Sequence, residues 1–269
     1  MNEPIHILSL GAGVQSSTLA LMAAKGEITP MPIAAIFADT KAEPLEVYRW
    51  LDWLETQLPF PVYRVVEKRG LLSNLVKGIK NKRFASVPFF TESINGGGIL
   101  RRQCTSEFKI LPVIKKIREI VGLKKGQQAP RKKILVKQWI GISTDEATRM
   151  KPSRIPWIEN IWPLTDKRMN RHACLLWMEK NNYPKPPRSA CTFCPYHSND
   201  EWRRLKSNAY AWRQIVAVDK FIRAGMHNTT EKLFLHKSLK PIDEVDLSTQ
   251  EEKGQINLFE NECEGMCGV

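Results

Sequence analysis

The chain has 269 residues, of which 42% are hydrophobic; that is enough to bury one large core, or one core with a smaller appendage. Its 41 Lys and Arg against 28 Asp and Glu give a formal charge of +13, which favours polyanionic partners, nucleic acid first among them. No apolar run approaches the roughly 18 residues that span a bilayer, and the first residues lack the charged-then-apolar layout of a secretory signal, so the expectation is a soluble cytoplasmic chain with no membrane partner.

The first element is the apolar run IHILSL at residues 5–10. It ends in the turn Gly11, Ala12, Gly13 and passes into a hydroxyl-rich helix start with Gln15, Ser16, Ser17 and Thr18. A strand, a glycine turn and a helix in succession bring backbone N–H groups and a helix dipole to one point, which suits phosphate. The stretch lacks the Lys of a Walker loop and the full dinucleotide fingerprint, and a plain tight turn before a helix remains an alternative.

Further short apolar or alternating runs follow: PIAAIFAD at 32–39, PVYRVVE at 61–67, ILVKQWIGIS at 134–143 and ENIWPL at 159–164. Helical patterns such as PLEVYRWLDWLETQL at 44–58 separate the early ones, and this alternation predicts a mostly parallel sheet covered by helices. Three segments read as loops: SVPFFTESINGGGILRRQ, GLKKGQQAPRKK and NYPKPPRSACTFCPYHS. A helical stretch from Asp200 to Gly225 then leads into a polar tail. The expected organisation is an α/β domain over residues 1–167 and a C-terminal helical part over 168–269, ending in a mobile, cysteine-bearing tail.

Ligands of open parallel sheets bind at the carboxyl ends of the strands. Asp39 closes the second run, and Asp145 and Arg149 follow the fourth, so all three are expected on the edge that carries Gly11. Arg149 suits a bidentate phosphate contact, with an ion pair to Glu146 as the alternative. The basic loop containing Lys124, Lys125, Arg131, Lys132 and Lys133 is expected beside the same edge, and Trp202 and Trp212 interleave with Arg203, Arg204, Lys206 and Arg213 in a pattern able to grip nucleic acid or simply to pack a helix.

Six cysteines are too sparse for a secreted disulfide scaffold. Cys191 and Cys194 form a Cys-x-x-Cys pair in a proline-rich loop, which presents two thiolates from one turn, as a metal or cluster requires. Cys174 lies in an apolar helical segment and reads as a core residue. Cys263 and Cys267 stand in the acidic, glycine-bearing end NECEGMCGV.

Taken together, SLGAGVQSST, FADTKAE, RRQCTSEFKILPV, GISTDEATRM, IWPLTD and CTFCP resemble, in order, segments of the adenine nucleotide alpha-hydrolase superfamily and especially its phosphoadenosine phosphosulfate reductase-like family. The resemblance spans most of residues 5–206 and implies a five-stranded, mostly parallel doubly wound sheet. It also implies an ATP or related adenylate site with Mg2+, formed by Gly11, Ala12, Gly13, Gln15, Ser16, Ser17, Asp39, Asp145 and Arg149. The chain departs from the family where Gln15 replaces the loop Asp and where Lys41 stands in place of a glycine.

The same resemblance sets Cys104 beside the Cys-x-x-Cys pair, and its position at a helix start lowers a thiol pKa. Cys104, Cys191 and Cys194 are thus the expected ligands of an iron–sulfur cluster, as in the nucleic-acid-thiolating members; zinc with His197 and no metal at all are the alternatives. The implied activity is adenylation of a tRNA or DNA substrate followed by replacement of oxygen with sulfur, the sulfur coming from sulfide or a donor protein. Asp39, Arg149, Cys263 and Cys267 are the expected catalytic residues. Two other readings stay open: a phosphoadenosine phosphosulfate or adenylyl sulfate reductase using a tail thiol, and a non-catalytic nucleic-acid-binding module with a structural metal.

Overall fold

In a computed structural model, the described residues are 3–67, 70–80, 86–93, 96–124, 126–130, 132–224 and 231–249. The elements in chain order are β1 (Ile5–Leu10), α1 (Val14–Ala24), β2 (Ala34–Ala38), α2 (Leu45–Gln57), β3 (Val62–Val65), α3 (Leu71–Lys80), β4 (Phe90–Ser93), β5 (Gly96–Ile99), α4 (Leu111–Ile120), β6 (Val136–Ile140), β7 (Ile158–Ile161), α5 (Pro163–Asp166), α6 (Arg171–Lys180), α7 (Asn199–Lys206), α8 (Ala209–Arg223) and β8 (Leu233–Phe234). A π-helical turn, Ser106–Ile110, precedes α4, and a 3-10 turn, Thr144–Arg149, follows β6.

The chain divides into two compact units: Met1–Glu67 with Phe108–Ser189, and the described parts of Lys68–Glu107 with Ala190–Cys267. This is not a division at residue 167. Residues 171–180 stay with the first unit because α6 buries Cys174 and Met178 in the core that Leu19 and Leu21 of α1 also enter, while residues 68–107 go with the second.

The first unit is the α/β fold that the alternation predicts. Five strands pair in the order β3-β2-β1-β6-β7, and every pairing is parallel. Alternate residues of each strand enter opposite cores. Leu8, Leu10, Ala35, Phe37 and Trp139 pack with residues of α1, α2 and α6 on one face; Ile7, Ile36, Val136 and Ile158 pack with Val113 and Ile117 of α4 on the other. Burial on both faces explains the wholly apolar run of β2, AAIFA, whereas β3 and β7 at the sheet edges carry the exposed residues Arg64 and Glu159.

One expectation about this unit is corrected. The loop with Lys124, Lys132 and Lys133 leads into the amino end of β6, where Ile5 pairs with Val136, whereas Ser9 pairs with Ile140 at the carboxyl end. In parallel strands that places the basic loop opposite the Gly11 turn. Lys125 and Arg131 lie outside the described residues.

The second unit contains an antiparallel sheet in the order β5-β4-β8. The glycine triplet expected in a loop forms β5 instead. A Cβ on Gly98 would lie 2.8 Å from Thr91 Oγ1 and one on Gly97 3.1 Å from Leu239 Cδ1, so glycine admits close neighbours along this strand. The predicted C-terminal helix is two helices, broken where the Asn208 side chain accepts from Tyr210 N and Ala211 N and caps α8. Buried Asp219 of α8 accepts from Leu235 N and Ile242 N, which anchors the segment following β8. Among the described residues, no helix is long and apolar enough to cross a membrane.

Candidate functional site

The strand order reverses at β1. The chain leaves β1 toward β2 and later leaves β6, on its other side, toward β7. The carboxyl ends of β1 and β6 therefore flank a crevice, the usual ligand position in such sheets. The turn at residues 11–13 and the segment 141–149 meet there. A Cβ on Gly141 would lie 2.8 Å from both the nitrogen and Cα of Ser16, so this glycine lets β6 approach the first turn of α1.

The first helical N–H groups of α1 lack intrahelical acceptors by geometry. Its N-cap Gly13 supplies no side-chain bond, and no acidic residue stands in its first turn. Ser16 Oγ accepts from Gly11 N at 3.1 Å, which closes the turn. Ala12, at φ 59°, takes the left-handed conformation, and neither glycine does. A Cβ on Gly13 would meet nothing nearer than Ser189 Cβ at 4.0 Å, and one on Gly11 would make only an ordinary contact with Ser16 Oγ at 3.5 Å. Neither left-handed conformation nor packing thus demands these two glycines, and their missing side chains leave room over the helix start. Ser17 belongs to the core instead: it is fully buried and its Oγ accepts from Trp50 Nε1 at 2.9 Å.

Gln15 stands where the resemblance calls for a carboxylate. Its Oε1 accepts from Arg171 at 3.2 Å, and its Nε2 donates to Glu146 Oε2 at 3.2 Å and to Ser143 Oγ at 3.4 Å. Glu146 is also ion-paired with Arg149. The alternative assigned to Arg149 is therefore its arrangement in this structure. Asp145 Oδ1 accepts from Arg171 N at 3.1 Å and helps to cap α6 beside Asn170.

On the adjoining strand, Asp39 is buried at the end of β2. Its Oδ1 accepts from Lys41 N at 2.7 Å and Tyr48 OH at 2.8 Å, and its Oδ2 pairs with Lys41 Nζ at 2.8 Å. Burial, together with the Asp39 carboxylate, pushes the Tyr48 phenol well above its usual range. Lys41 adopts φ 56°, the conformation that glycine takes without strain. Its ammonium balances the Asp39 carboxylate.

Glu43, four residues on, carries a side chain only 1% exposed. It receives Thr40 Oγ1 at 3.5 Å and Ser189 Oγ at 3.2 Å, with Lys109 Nζ at 3.6 Å. Two of the resembling segments, FADTKAE and RRQCTSEFKILPV, thus meet through one buried ion pair.

In the second unit, Cys191 and Cys194 share a turn in which Cys194 N donates to Cys191 O at 3.0 Å. His197 Nε2 lies 2.9 Å from the same carbonyl, and Trp202 packs edge-on against the His197 ring. Cys104 begins the helical turn that leads to the π-helical segment; Pro112, lacking an N–H, accounts for the irregular ladder there. Burial raises the Tyr196 phenol, Arg102 opposes the rise, and Cys194 and Cys104 add to it. Cys104, Cys174, Cys191 and Cys194 are all thiols. Soft sulfur donors suit a cluster or zinc, but no three His, Cys, Asp or Glu side chains among the described residues stand ready to hold a metal ion.

Cys263 and Cys267 lie outside the described residues. Trp202 is fully buried and offers no stacking face, whereas Lys206 covers the Trp212 ring at 5.6 Å. Sequence reasoning assigned no role to Gly141, Ser143, Arg171, Tyr48 or Lys109. Gly141, Glu146, Glu43 and Lys109 lay inside the segments that carried the resemblance, whereas Arg171, 156 positions from Gln15, had no sequence signal.

No family model and no curated protein matches this chain. Among solved structures, phosphoadenylyl-sulfate (PAPS) reductase from Candida auris, in a phosphate complex, is similar over 69% of this chain and 76% of that chain, at 14% identity and a TM-score of 0.44.

Proposed function

We propose that this chain binds an adenine nucleotide by its phosphates at the start of α1 and uses it to drive sulfur transfer to a nucleic-acid substrate. One observation carries the nucleotide part. At the carboxyl edge of a parallel sheet, Gly11 and Gly13 leave open the space over an α1 N-terminus that has neither a side-chain cap nor a first-turn acid. Phosphate oxygens meet N–H donors and a favourable dipole there.

The chemistry consistent with this placement is adenylation. A substrate oxygen attacks the α-phosphorus of ATP, the bond to the β-phosphate breaks, and pyrophosphate leaves with its charge facing the α1 N–H groups. A sulfur nucleophile then forms a carbon–sulfur bond at the activated carbon as the carbon–oxygen bond breaks and AMP departs. Arg149 and Arg171 supply positive charge near the phosphates, and Asp39, held by Lys41 and Tyr48, faces the same edge. Cys104, Cys191 and Cys194 do not stand as a ready metal site in this structure; drawn together, they would hold an iron–sulfur cluster, which would supply sulfide. Nucleic acid is favoured as substrate by the +13 charge of the whole chain.

The test is product formation. Anaerobically purified protein with ATP, Mg2+, sulfide and tRNA or DNA is expected to release AMP and pyrophosphate and to yield a thiolated nucleotide by mass spectrometry. Sulfite released from phosphoadenosine phosphosulfate, with no thiolated product, would replace this reading with the reductase one.

A further inference from the structure

The Gln15 amide bridges two opposite charges. It accepts from the Arg171 guanidinium on one side and donates to the Glu146 carboxylate on the other, each at 3.2 Å. Among side chains of this length, only a carboxamide satisfies both neighbours at once. A carboxylate at position 15 would meet Glu146 as a like charge at hydrogen-bond distance, and a lysine would repel Arg171. The identity of residue 15 therefore follows from Glu146 standing where it does.

We propose that Glu146 is the carboxylate of this phosphate site, contributed by the turn after β6 rather than by the glycine turn, and that Gln15 is its positioning residue. This rests on the nucleotide-binding reading above. Three features give Glu146 that role. Its partner Gln15 sits in the first turn of α1, one residue before the Ser16 that closes the glycine turn. Gly141 brings its segment against Ser16. Its side chain is 19% exposed, so solutes reach it.

The ion pair with Arg149 adds a consequence. A carboxylate oxygen is a hard ligand suited to Mg2+, and a divalent cation at Glu146 competes with the Arg149 guanidinium. Cation binding then releases Arg149 toward the phosphates that the cation accompanies, so metal and nucleotide bind with positive coupling.

Calorimetric titration of ATP with and without Mg2+ tests this in binding alone. In the wild-type protein, Mg2+ is expected to tighten ATP by about tenfold. In E146Q that enhancement shrinks below about twofold, while ATP in EDTA binds at least as tightly as to wild type because Arg149 is no longer neutralised. A Glu146 that served only to support the fold would weaken both titrations together and lower the melting temperature.

Should E146Q fail to fold, the interchange Q15E/E146Q is read instead, since it keeps net charge and side-chain size. Loss of Mg2+ enhancement in the interchange supports a carboxylate required at position 146, and its retention, with the carboxylate now on the glycine-turn side, overturns the proposal. Wild-type Mg2+ enhancement preserved in E146Q overturns this inference alone. Wild-type protein that binds no nucleotide under either condition overturns the nucleotide reading with it.

Discussion

Gly141 and Ser16 approach more closely than any side chain would permit: a Cβ on Gly141 would stand 2.8 Å from the Ser16 nitrogen. The end of β6 and the first turn of α1 are thus fitted backbone to backbone, with no flexible group to yield. Gly141→Ala is expected to cost about 1–3 kcal/mol by overpacking. It is also expected to weaken nucleotide binding by about tenfold, because the displaced group is the turn proposed to face phosphate. Denaturation and ATP titration of the variant measure the two effects separately.

The Glu43–Lys109 pair makes an energetic prediction. Lys109→Met strands a carboxylate that is 1% exposed, and removing one partner of a buried pair costs about 3 kcal/mol. The value lies at the low end of that range because the Thr40 and Ser189 hydroxyls remain on the carboxylate. E43Q/K109M should recover most of the loss, as measured by urea denaturation; additive losses would mean that the two residues do not act as a pair.

Stability should fall on mild acidification. His6 accepts from Trp139 Nε1 at 2.8 Å through Nδ1, and burial first, then Lys137, lowers its pKa, against opposing contributions from Glu159 and Glu3. His236, bonded to Ser238 and Asn199, is lowered by burial and by Lys237. Both imidazoles take up a proton more readily when unfolded. Their stabilising contribution is therefore complete above an unfolded pKa of about 6.5 and is lost as pH falls through the lower folded values. Melting temperatures between pH 7.5 and about 5 should decline, and His6→Gln, which keeps an acceptor for Trp139, should flatten the decline.

The cysteines should separate by reactivity. Cys174 is fully buried in the first-unit core, and burial, with Asp145 adding, pushes its thiol up to about 12. Iodoacetamide should therefore spare Cys174 in native protein while labelling Cys104 and Cys194, which are partly exposed. Labelling of Cys104 and Cys194 should fall after anaerobic iron and sulfide loading if they become ligands. Unchanged labelling, with no bound iron, would remove the cluster from the account.

The sheet of the first unit is legible in the sequence because β2 is an apolar run buried throughout and its neighbour β1 is mostly apolar, whereas β3 and β7, at the sheet edges, carry the exposed polar residues Arg64 and Glu159 and are the weaker signals. The Gly96–Gly98 triplet was misread because glycine usually marks a turn, whereas here it admits Thr91 and Leu239 against a strand. Ser16 and Ser17 look alike in sequence, but one helix step turns the first to the glycine turn and the second to Trp50. The position of the basic loop followed from strand direction, which the sequence pattern does not carry. Arg171 was invisible because its partner is remote in the chain. Lys41, by contrast, is visible in the sequence as a departure from the resembling pattern, and in the structure it keeps a left-handed backbone while its ammonium pairs with Asp39.

The central claim is that the start of α1 holds phosphate, and Gly13→Asp tests it with least ambiguity. Gly13 is extended, at φ −94° and ψ −177°, and its Cβ direction is open to 4.0 Å, so the variant should fold. An aspartate there becomes an N-cap that faces the helix dipole, stabilising the protein by about 0.5–1 kcal/mol. The same carboxylate occupies the anion site and repels phosphate. Calorimetry should therefore show ATP binding to the wild-type protein and at least about tenfold weaker binding to a more stable Gly13→Asp variant. ATP bound equally well by both, or no binding of ATP, AMP or a phosphosulfate analogue by wild type at millimolar concentration, would contradict the account.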